Sequence, residues 1–172
     1  YQFDVIPIEL ISSIYEQFAH SGIPVSINTH DVDDNDAPSL ATLQAVHYTR
    51  MPVVSLILDE VLDSASGDES VLDLTCGSGV FLVESLRRLV MRKSHGQLNR
   101  SVIRSVLHEQ IFGIDISKAA IQVAAFSLYL AALELDPDPQ PPEVLRFERL
   151  IHRTLLIGDV RNIEARPEGQ AL

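Results

Sequence analysis

Three aspartates at or near the ends of short apolar runs are the residues best placed to form a binding site. The runs SVLDL, IFGI and TLLI contain or precede Asp73, Asp115 and Asp159, respectively. One acid at such a position is often only a helix cap or a loop residue. Ligands of open parallel sheets bind outside the carboxyl ends of the strands. If the three runs are neighbouring strands, their acids therefore predict one shared polar site.

The glycine turn after the first acid limits the ligands that this site could bind. It consists of Gly77, Ser78 and Gly79, and it lacks both the third glycine of a dinucleotide fingerprint and the lysine of a phosphate-binding loop. Asp73 beside the turn would repel a pyrophosphate but attract an ammonium group. S-adenosyl-L-methionine carries an ammonium and a positive sulfonium, and the two glycines would let the backbone approach its methionine part. The turn therefore favours S-adenosyl-L-methionine as the cofactor.

The other acids and some apolar residues suggest how the nucleoside part would bind. Asp115 is expected to accept hydrogen bonds from both ribose hydroxyls, as a strand-end acid does for other nucleosides. Asp159 would accept one from the exocyclic amine of adenine. The candidates to sandwich the adenine ring are Phe81, Ile116 and Val160, and an ordinary core position is an equally good interpretation of each. None of the six histidines has metal-ligand spacing, so no metal site is expected.

The periodicity of apolar residues predicts the elements that would position this site. A helix is expected over 4–19, an acidic loop over 21–39 and a buried helix from Pro52 to about 63. Further on, helices at 80–93, about 99–109 and 117–135 alternate with the three short strands. This order is typical of an α/β fold, a parallel sheet with helices on both faces.

Composition and charge exclude several classes of protein. The 172 residues are 46% hydrophobic and include one cysteine, which excludes a disulfide framework and fits a reducing cytoplasm. No apolar run approaches the roughly 18 residues that cross a bilayer, so no membrane partner is expected. The formal charge is −11, and no Lys or Arg precedes Arg50. Because phosphate contacts supply most non-specific affinity for nucleic acid, this chain is not expected to bind DNA unaided.

Four motifs together resemble the cofactor-binding motifs of the N6-adenine DNA methyltransferases of bacterial restriction-modification and phage-defence systems. They are HYTRMPVV at 47–54, VLDLTCGSGVFL at 71–82, FGIDIS at 112–117 and GDV at 158–160. The segment PIELISSIYEQF at 7–18 is similar to the one that precedes the methyltransferase domain in the large fused enzymes. The resemblance implies a partial Rossmann-like methyltransferase sheet from 47 to 172, preceded by a helical segment and acidic loop over 1–46.

The same resemblance implies further contacts with the cofactor. In the family a Tyr-Thr-Pro element lies over the cofactor, which implies that Tyr48 and Thr49 contact its methionine end. Arg50 stands where the family usually has proline. Thr75 and Cys76 stand where proline and alanine are commoner, and both are small enough for the loop. The implied cofactor-binding set is completed by the glycine turn and by the acids and apolar residues described above.

The family's catalytic motif, Asn-Pro-Pro-Tyr or Asp-Pro-Pro-Tyr, does not occur between Asp159 and Leu172. No catalytic residue is therefore expected within these 172 residues, and contact with DNA is expected through other parts of a longer protein. The first residue, Tyr1, agrees with a cut or processed piece. Two alternatives remain: a methyltransferase acting on protein glutamine or RNA, and a non-catalytic S-adenosylmethionine-binding module. The target sequence, a fused nuclease and the oligomeric state are not specified by these residues.

Overall fold

The computed structural model of the chain describes residues 10, 11, 14 and 15, then 49–138 and 150–160. Its elements in order are α1 (Met51–Val61), β1 (Val71–Asp73), α2 (Val80–Lys93), α3 (Arg100–Glu109), β2 (Ile111–Asp115), α4 (Lys118–Leu135) and β3 (Leu155–Ile157). The four described residues before position 16 are helical, as predicted. The rest of that predicted helix and the predicted acidic loop lie outside the described residues.

The three strands form one parallel sheet in the order β1-β2-β3, as the alternation of strands and helices predicts. Asp73 of β1 pairs with Gly113 of β2, and Asp115 of β2 pairs with Ile157 of β3. All three strands therefore have their carboxyl ends at the same edge. The side chains of Asn99 and Ser117 cap α3 and α4 by accepting hydrogen bonds from the first turns of these helices.

The helices among the described residues cover one face of the sheet, and the prediction of helices on both faces is not confirmed. Helix α2 packs on β1 and β2, and α4 packs on β2, β3 and α2. On the opposite face, the side chains of Leu72 and Leu74 are about half exposed, at 56% and 49%. The reason is the strand order: successive right-handed crossovers that move in one direction across a sheet place their helices on the same face.

The core lies between the sheet and the helices α2, α3 and α4. The predicted stripes are buried, with Leu82, Leu86 and Leu89 on α2 and Ile121, Ala124, Leu128 and Ala132 on α4. Small residues on α4 let α2 approach closely, since a β-carbon added to Gly79 would lie 3.0 Å from the Cβ of Ala124. Close packing of this kind makes the start of α2, next to the glycine turn, one of the most constrained parts of the fold.

Helix α1 differs from its predicted burial. Only Val54 and Leu58 of its residues are buried, while Leu56 and Val61 are 64% and 68% exposed. Among the described elements α1 contacts mainly α2, so a single stripe of i, i+4 residues is covered. An apolar run of this length does not distinguish a helix buried on all sides from one that is covered on one side.

Helix α4 corrects the expectation that no run is long and apolar enough to cross a bilayer. Among the described residues it is the one helix that meets that criterion, with 18 residues and a mean hydropathy of 1.4. Eight of its residues are buried against the sheet and the neighbouring helices. This burial gives a sufficient reason for its apolar composition.

A salt bridge fastens the end of α4 to the start of α3. Arg100 donates from Nε to Oδ2 of Asp136 at 2.7 Å and from a terminal nitrogen to Oδ1 at 3.2 Å. The Asp136 side chain is only 6% exposed, whereas that of Arg100 is 34% exposed. Burial opposes ionisation of Asp136, but hydrogen bonds from Arg100 and from the Asp138 N–H outweigh it and hold the pKa of this carboxyl below 3.8.

We expect Asp136→Asn to lower the free energy of unfolding at pH 7 by about 1 kcal/mol, a low figure for a charged hydrogen bond because water screens Arg100. A carboxyl with a depressed folded pKa stabilises fully above its unfolded pKa and loses this effect as the pH falls through the folded value. The difference between variant and wild type should therefore shrink in strong acid. Urea unfolding at pH 7 and at pH 2 measures the destabilisation and its decrease in acid.

The matched control is Glu134→Gln, which removes a salt bridge of the same length between Glu134 of α4 and Arg87 of α2. That bridge is 2.7 Å long, but the Glu134 side chain is 50% exposed. Its loss should change the free energy of unfolding by less than about 0.5 kcal/mol. Equal effects of the two substitutions would contradict the role given to burial at Asp136.

Candidate functional site

The carboxyl edge of the sheet brings together the acids that the sequence singles out. Asp73 and Asp115 end β1 and β2, and Asp159 lies two residues beyond the end of β3. The Gly158 N–H, next to Asp159, donates to the backbone carbonyl of Asp115 at 2.9 Å. The predicted convergence of the three acids on one edge is therefore observed.

The glycine turn is held against this edge by backbone hydrogen bonds. The Cys76 N–H donates to the carbonyl of Ile114 at 2.9 Å, and the Gly79 N–H donates to the carbonyl of Cys76 at 2.8 Å. Gly77 has φ +53° and Gly79, the N-cap of α2, has φ +87°. Residues that carry a side chain rarely adopt this left-handed backbone region, so the two positions require glycine for conformational reasons.

The two glycines differ in their surroundings. A β-carbon at Gly79 would make a tight contact with Ala124, whereas one at Gly77 would meet no atom within 4 Å. Gly77 therefore borders open space at the strand ends. A ligand there could approach the backbone to a distance that any side chain at position 77 would prevent.

The Asp115 carboxylate connects the glycine turn to the start of α4. Its Oδ2 accepts a hydrogen bond from the Gly77 N–H, and its Oδ1 accepts one from the Ser117 N–H, both at 2.8 Å. Each carboxylate oxygen has two lone pairs. Asp115 can therefore retain both backbone bonds and still accept one hydrogen bond at each oxygen from a ligand hydroxyl.

Asp73 and Asp115 bring negative charge to the strand edge. Burial raises the pKa of Asp73, a hydrogen bond from the Thr75 N–H opposes this rise, and the charge of Asp115 adds to it. Among residues 49–138 and 150–160, neither Asp73 nor Asp115 forms an ion pair with Lys, Arg or His. A positively charged ligand would relieve the repulsion between these two carboxylates.

The three apolar candidates for contact with a base occupy different environments. Ile116 follows Asp115 directly and is 61% exposed at the edge. Val160 is partly buried just after Asp159. Phe81 packs against the small core formed by α1 and its neighbours. Of the three, Ile116 has the exposure that stacking on a ring needs, whereas Phe81 is partly buried.

The remaining predicted site residues differ in their burial. Cys76 is 5% exposed and belongs to the main core. Burial and the charges of Asp115 and Asp73 raise the pKa of its thiol to about 12, so it stays neutral and is a poor nucleophile. Thr75 is exposed, and Ser78 and Thr49 are partly buried. Tyr48 lies outside the described residues.

Tyr15 reaches the same edge, and sequence reasoning did not include it in the site. Its side chain is 8% exposed, and its hydroxyl lies 3.2 Å from the Oγ of Ser117, the N-cap of α4. The sequence signal for Tyr15 was only its place on the apolar side of the first helix. No local pattern indicates contact with a residue 102 positions away.

Among the described residues no group of three or more His, Cys, Asp or Glu could hold a metal ion. The arrangement instead suits a cationic ligand with vicinal hydroxyls. Asp73 would neutralise positive charge, Asp115 would accept from hydroxyls, and the open space beside Gly77 would admit a flexible chain.

Comparison with known proteins gives two relatives of much greater length. The chain is 30% identical over 137 residues to the adenine-specific methyltransferase PglX of Streptomyces coelicolor, covering 75% of this chain and 11% of that protein. It is also similar to a solved structure of a nuclease-deletion mutant of the Type ISP restriction-modification enzyme LlaGI in complex with a DNA substrate mimic. That similarity has a TM-score of 0.46 at 22% identity and covers 59% of this chain and 9% of that one.

The chain thus spans about a tenth of the length of each relative. The family model for N-6 DNA methylases matches residues 35–138, which is more than half of the chain. The matched segment includes Asp73, the glycine turn and Asp115. This chain therefore belongs to the N-6 DNA methylase family.

Proposed function

We propose that this chain is the S-adenosylmethionine-binding part of a DNA adenine-N6 methyltransferase of a restriction-modification or phage-defence system. The observation that carries the proposal is the family match over the segment that forms the acidic strand edge and its glycine turn. We further propose that the three described strands are part of a Rossmann-like methyltransferase sheet. DNA is then contacted by other parts of a longer protein.

The residues at the edge fit the cofactor part by part. Asp73 would hold the ammonium of the methionine moiety, and the turn at Gly77 would lie along its chain. Asp115 would accept hydrogen bonds from the ribose hydroxyls through its free lone pairs. Asp159 would accept from the adenine amine, with Ile116 against the ring. Tyr48, Thr49, Thr75, Ser78, Phe81 and Val160 complete the proposed set.

When bound, S-adenosylmethionine supplies a methyl group on a positively charged sulfur. The part assigned to these residues is to bind and orient that group. The left-handed backbone conformation at Gly77 and the two hydrogen bonds that Asp115 accepts hold the polar groups in place before the ligand arrives. Such preorganisation contributes to transfer by placing the reacting atoms close together. Acceptance of hydrogen bonds from the target amine falls to a motif that these 172 residues do not contain.

A pair of glycine substitutions tests whether the open space at Gly77 is where the cofactor lies. Gly77→Ala should abolish S-adenosylmethionine binding in calorimetry, since its methyl group would occupy that space. It should also lower the free energy of unfolding by about 1–2 kcal/mol, because alanine is strained in the left-handed region.

Gly96→Ala is the matched control for this strain. Gly96 has φ +79°, and a β-carbon there also meets no atom within 4 Å, but it lies in the turn after α2, away from the strand ends. It should show a similar loss of stability and unchanged affinity. Equal affinities for the two variants would place the cofactor elsewhere.

Asp115→Ala should weaken S-adenosylmethionine binding by about 2–4 kcal/mol, because two charge-assisted hydrogen bonds to the ribose are lost. Denaturant unfolding is measured in parallel, since the same substitution removes the acceptor for the Gly77 and Ser117 N–H groups. The control is Asp63→Ala, at an exposed acid in the turn after α1, which should not change the affinity. Equal losses would mean that net charge, rather than a site, controls binding.

The nature of the substrate is tested with the whole protein in the cells that encode it. Gly77→Ala in the gene should remove N6-methyladenine from genomic DNA, measured by mass spectrometry of nucleosides. Gly96→Ala should leave it unchanged. If N6-methyladenine persists while methylated glutamine in protein or methylated RNA disappears, the adenine-DNA proposal is wrong and one of the alternatives holds.

A further inference from the structure

We infer that Tyr15 is a positioning residue for the ribose end of the cofactor site, through which the amino-terminal helix acts on Asp115. The inference rests on the proposed function and adds to it a residue from outside the matched segment. Tyr15 acts on Asp115 through Ser117.

A continuous series of hydrogen bonds joins Tyr15 to the glycine turn. The Tyr15 hydroxyl lies 3.2 Å from Ser117 Oγ, and the Ser117 N–H donates to Asp115 at 2.8 Å. The other oxygen of Asp115 accepts from the Gly77 N–H at 2.8 Å. The first and last members of this series are 62 positions apart, and the series crosses the corner where the ribose would lie.

Ser117 is the junction of this series. Its Oγ also accepts from the Ala120 N–H at 3.2 Å and so caps α4. A serine hydroxyl has one proton and two lone pairs. With one lone pair used by the cap, the contact with Tyr15 fixes the remaining orientation of the hydroxyl. The position of Ser117, and with it the position of the backbone N–H that holds Asp115, is then constrained by the α4 cap and by Tyr15.

The environment of Tyr15 keeps its hydroxyl in the neutral form that this role needs. Burial raises the pKa of Tyr15, the hydrogen bond with Ser117 opposes this, and the charge of Asp115 raises it further. A neutral phenol adds no negative charge to an edge that already carries two carboxylates.

The experiment compares Tyr15→Phe with Tyr129→Phe in the full chain. Tyr129 is a matched control, because its hydroxyl accepts from the Leu150 N–H at 3.1 Å, in a region remote from the strand ends. Calorimetry uses S-adenosylhomocysteine and its 2′-deoxyribose analogue, and thermal unfolding shows the temperature below which each variant is folded.

Tyr15→Phe should weaken binding of S-adenosylhomocysteine by about three- to tenfold, the effect of one hydrogen bond. Binding of the 2′-deoxy analogue should weaken less than binding of S-adenosylhomocysteine, because that ligand lacks one of the two hydroxyls from which Asp115 would accept. Tyr129→Phe should leave both affinities within about twofold of wild type. A role in stability alone would affect both ligands equally.

Ser117 provides a second test that does not depend on the stability of Tyr15→Phe. Ser117→Ala should reproduce the ligand selectivity of Tyr15→Phe, and adding Tyr15→Phe to it should cause no further loss. Ser117→Thr, which keeps the hydroxyl, should restore wild-type affinity.

The outcomes separate the inference from the proposed function. If the wild-type chain gives no heat with millimolar S-adenosylmethionine or S-adenosylhomocysteine, both are overturned. If the wild type binds and Tyr15→Phe matches Tyr129→Phe, or weakens both ligands equally, the inference alone is overturned.

Discussion

The carboxylate of Asp115 is the interaction on which the candidate site depends. It accepts the Gly77 N–H at one oxygen and the Ser117 N–H at the other, so the glycine turn and the start of α4 have a common attachment. These two segments follow different strands, and this shared attachment adds to the packing of Gly79 against Ala124. An amide side chain has one acceptor oxygen, so it could not accept from the two backbone groups at separate atoms as a carboxylate does. The acid that is proposed to bind the ribose therefore also shapes the pocket around it.

The strand order explains why the polar groups gather at one edge while, among the described residues, apolar side chains are covered on only one face of the sheet. Two crossovers in one direction place α2 and α4 on the same face of the sheet. Because the strands are parallel, all their carboxyl ends lie at one edge. The same arrangement leaves Leu72 and Leu74 exposed on the other face and covers only one stripe of α1. Within the described residues, the edge is thus better defined than either the second sheet face or the outer side of α1.

The charges of Asp73 and Asp115 make this edge favour a cationic ligand over an anionic one. Asp73 and Asp115 lie close enough for the charge of Asp115 to raise the pKa of Asp73, and neither has an ion-pair partner among the described residues. An anionic ligand would meet repulsion from both carboxylates, whereas an ammonium or sulfonium would reduce their mutual repulsion. Family membership and local electrostatics therefore favour the same class of cofactor by independent reasoning.

The sequence by itself determined the elements, their order and the identity of the acids, because these follow from local periodicity and from residues at strand ends. The helices α2, α3 and α4 and the parallel strands were all predicted within a few residues. Tertiary structure alone decided which faces are covered, since α1 and α4 are apolar runs whose burial depends on neighbours. It also decided that Cys76 points into the core and that Phe81 packs toward α1. Above all, it brought Tyr15 to Ser117, a contact across 102 residues that arises from packing and leaves no local pattern in the chain.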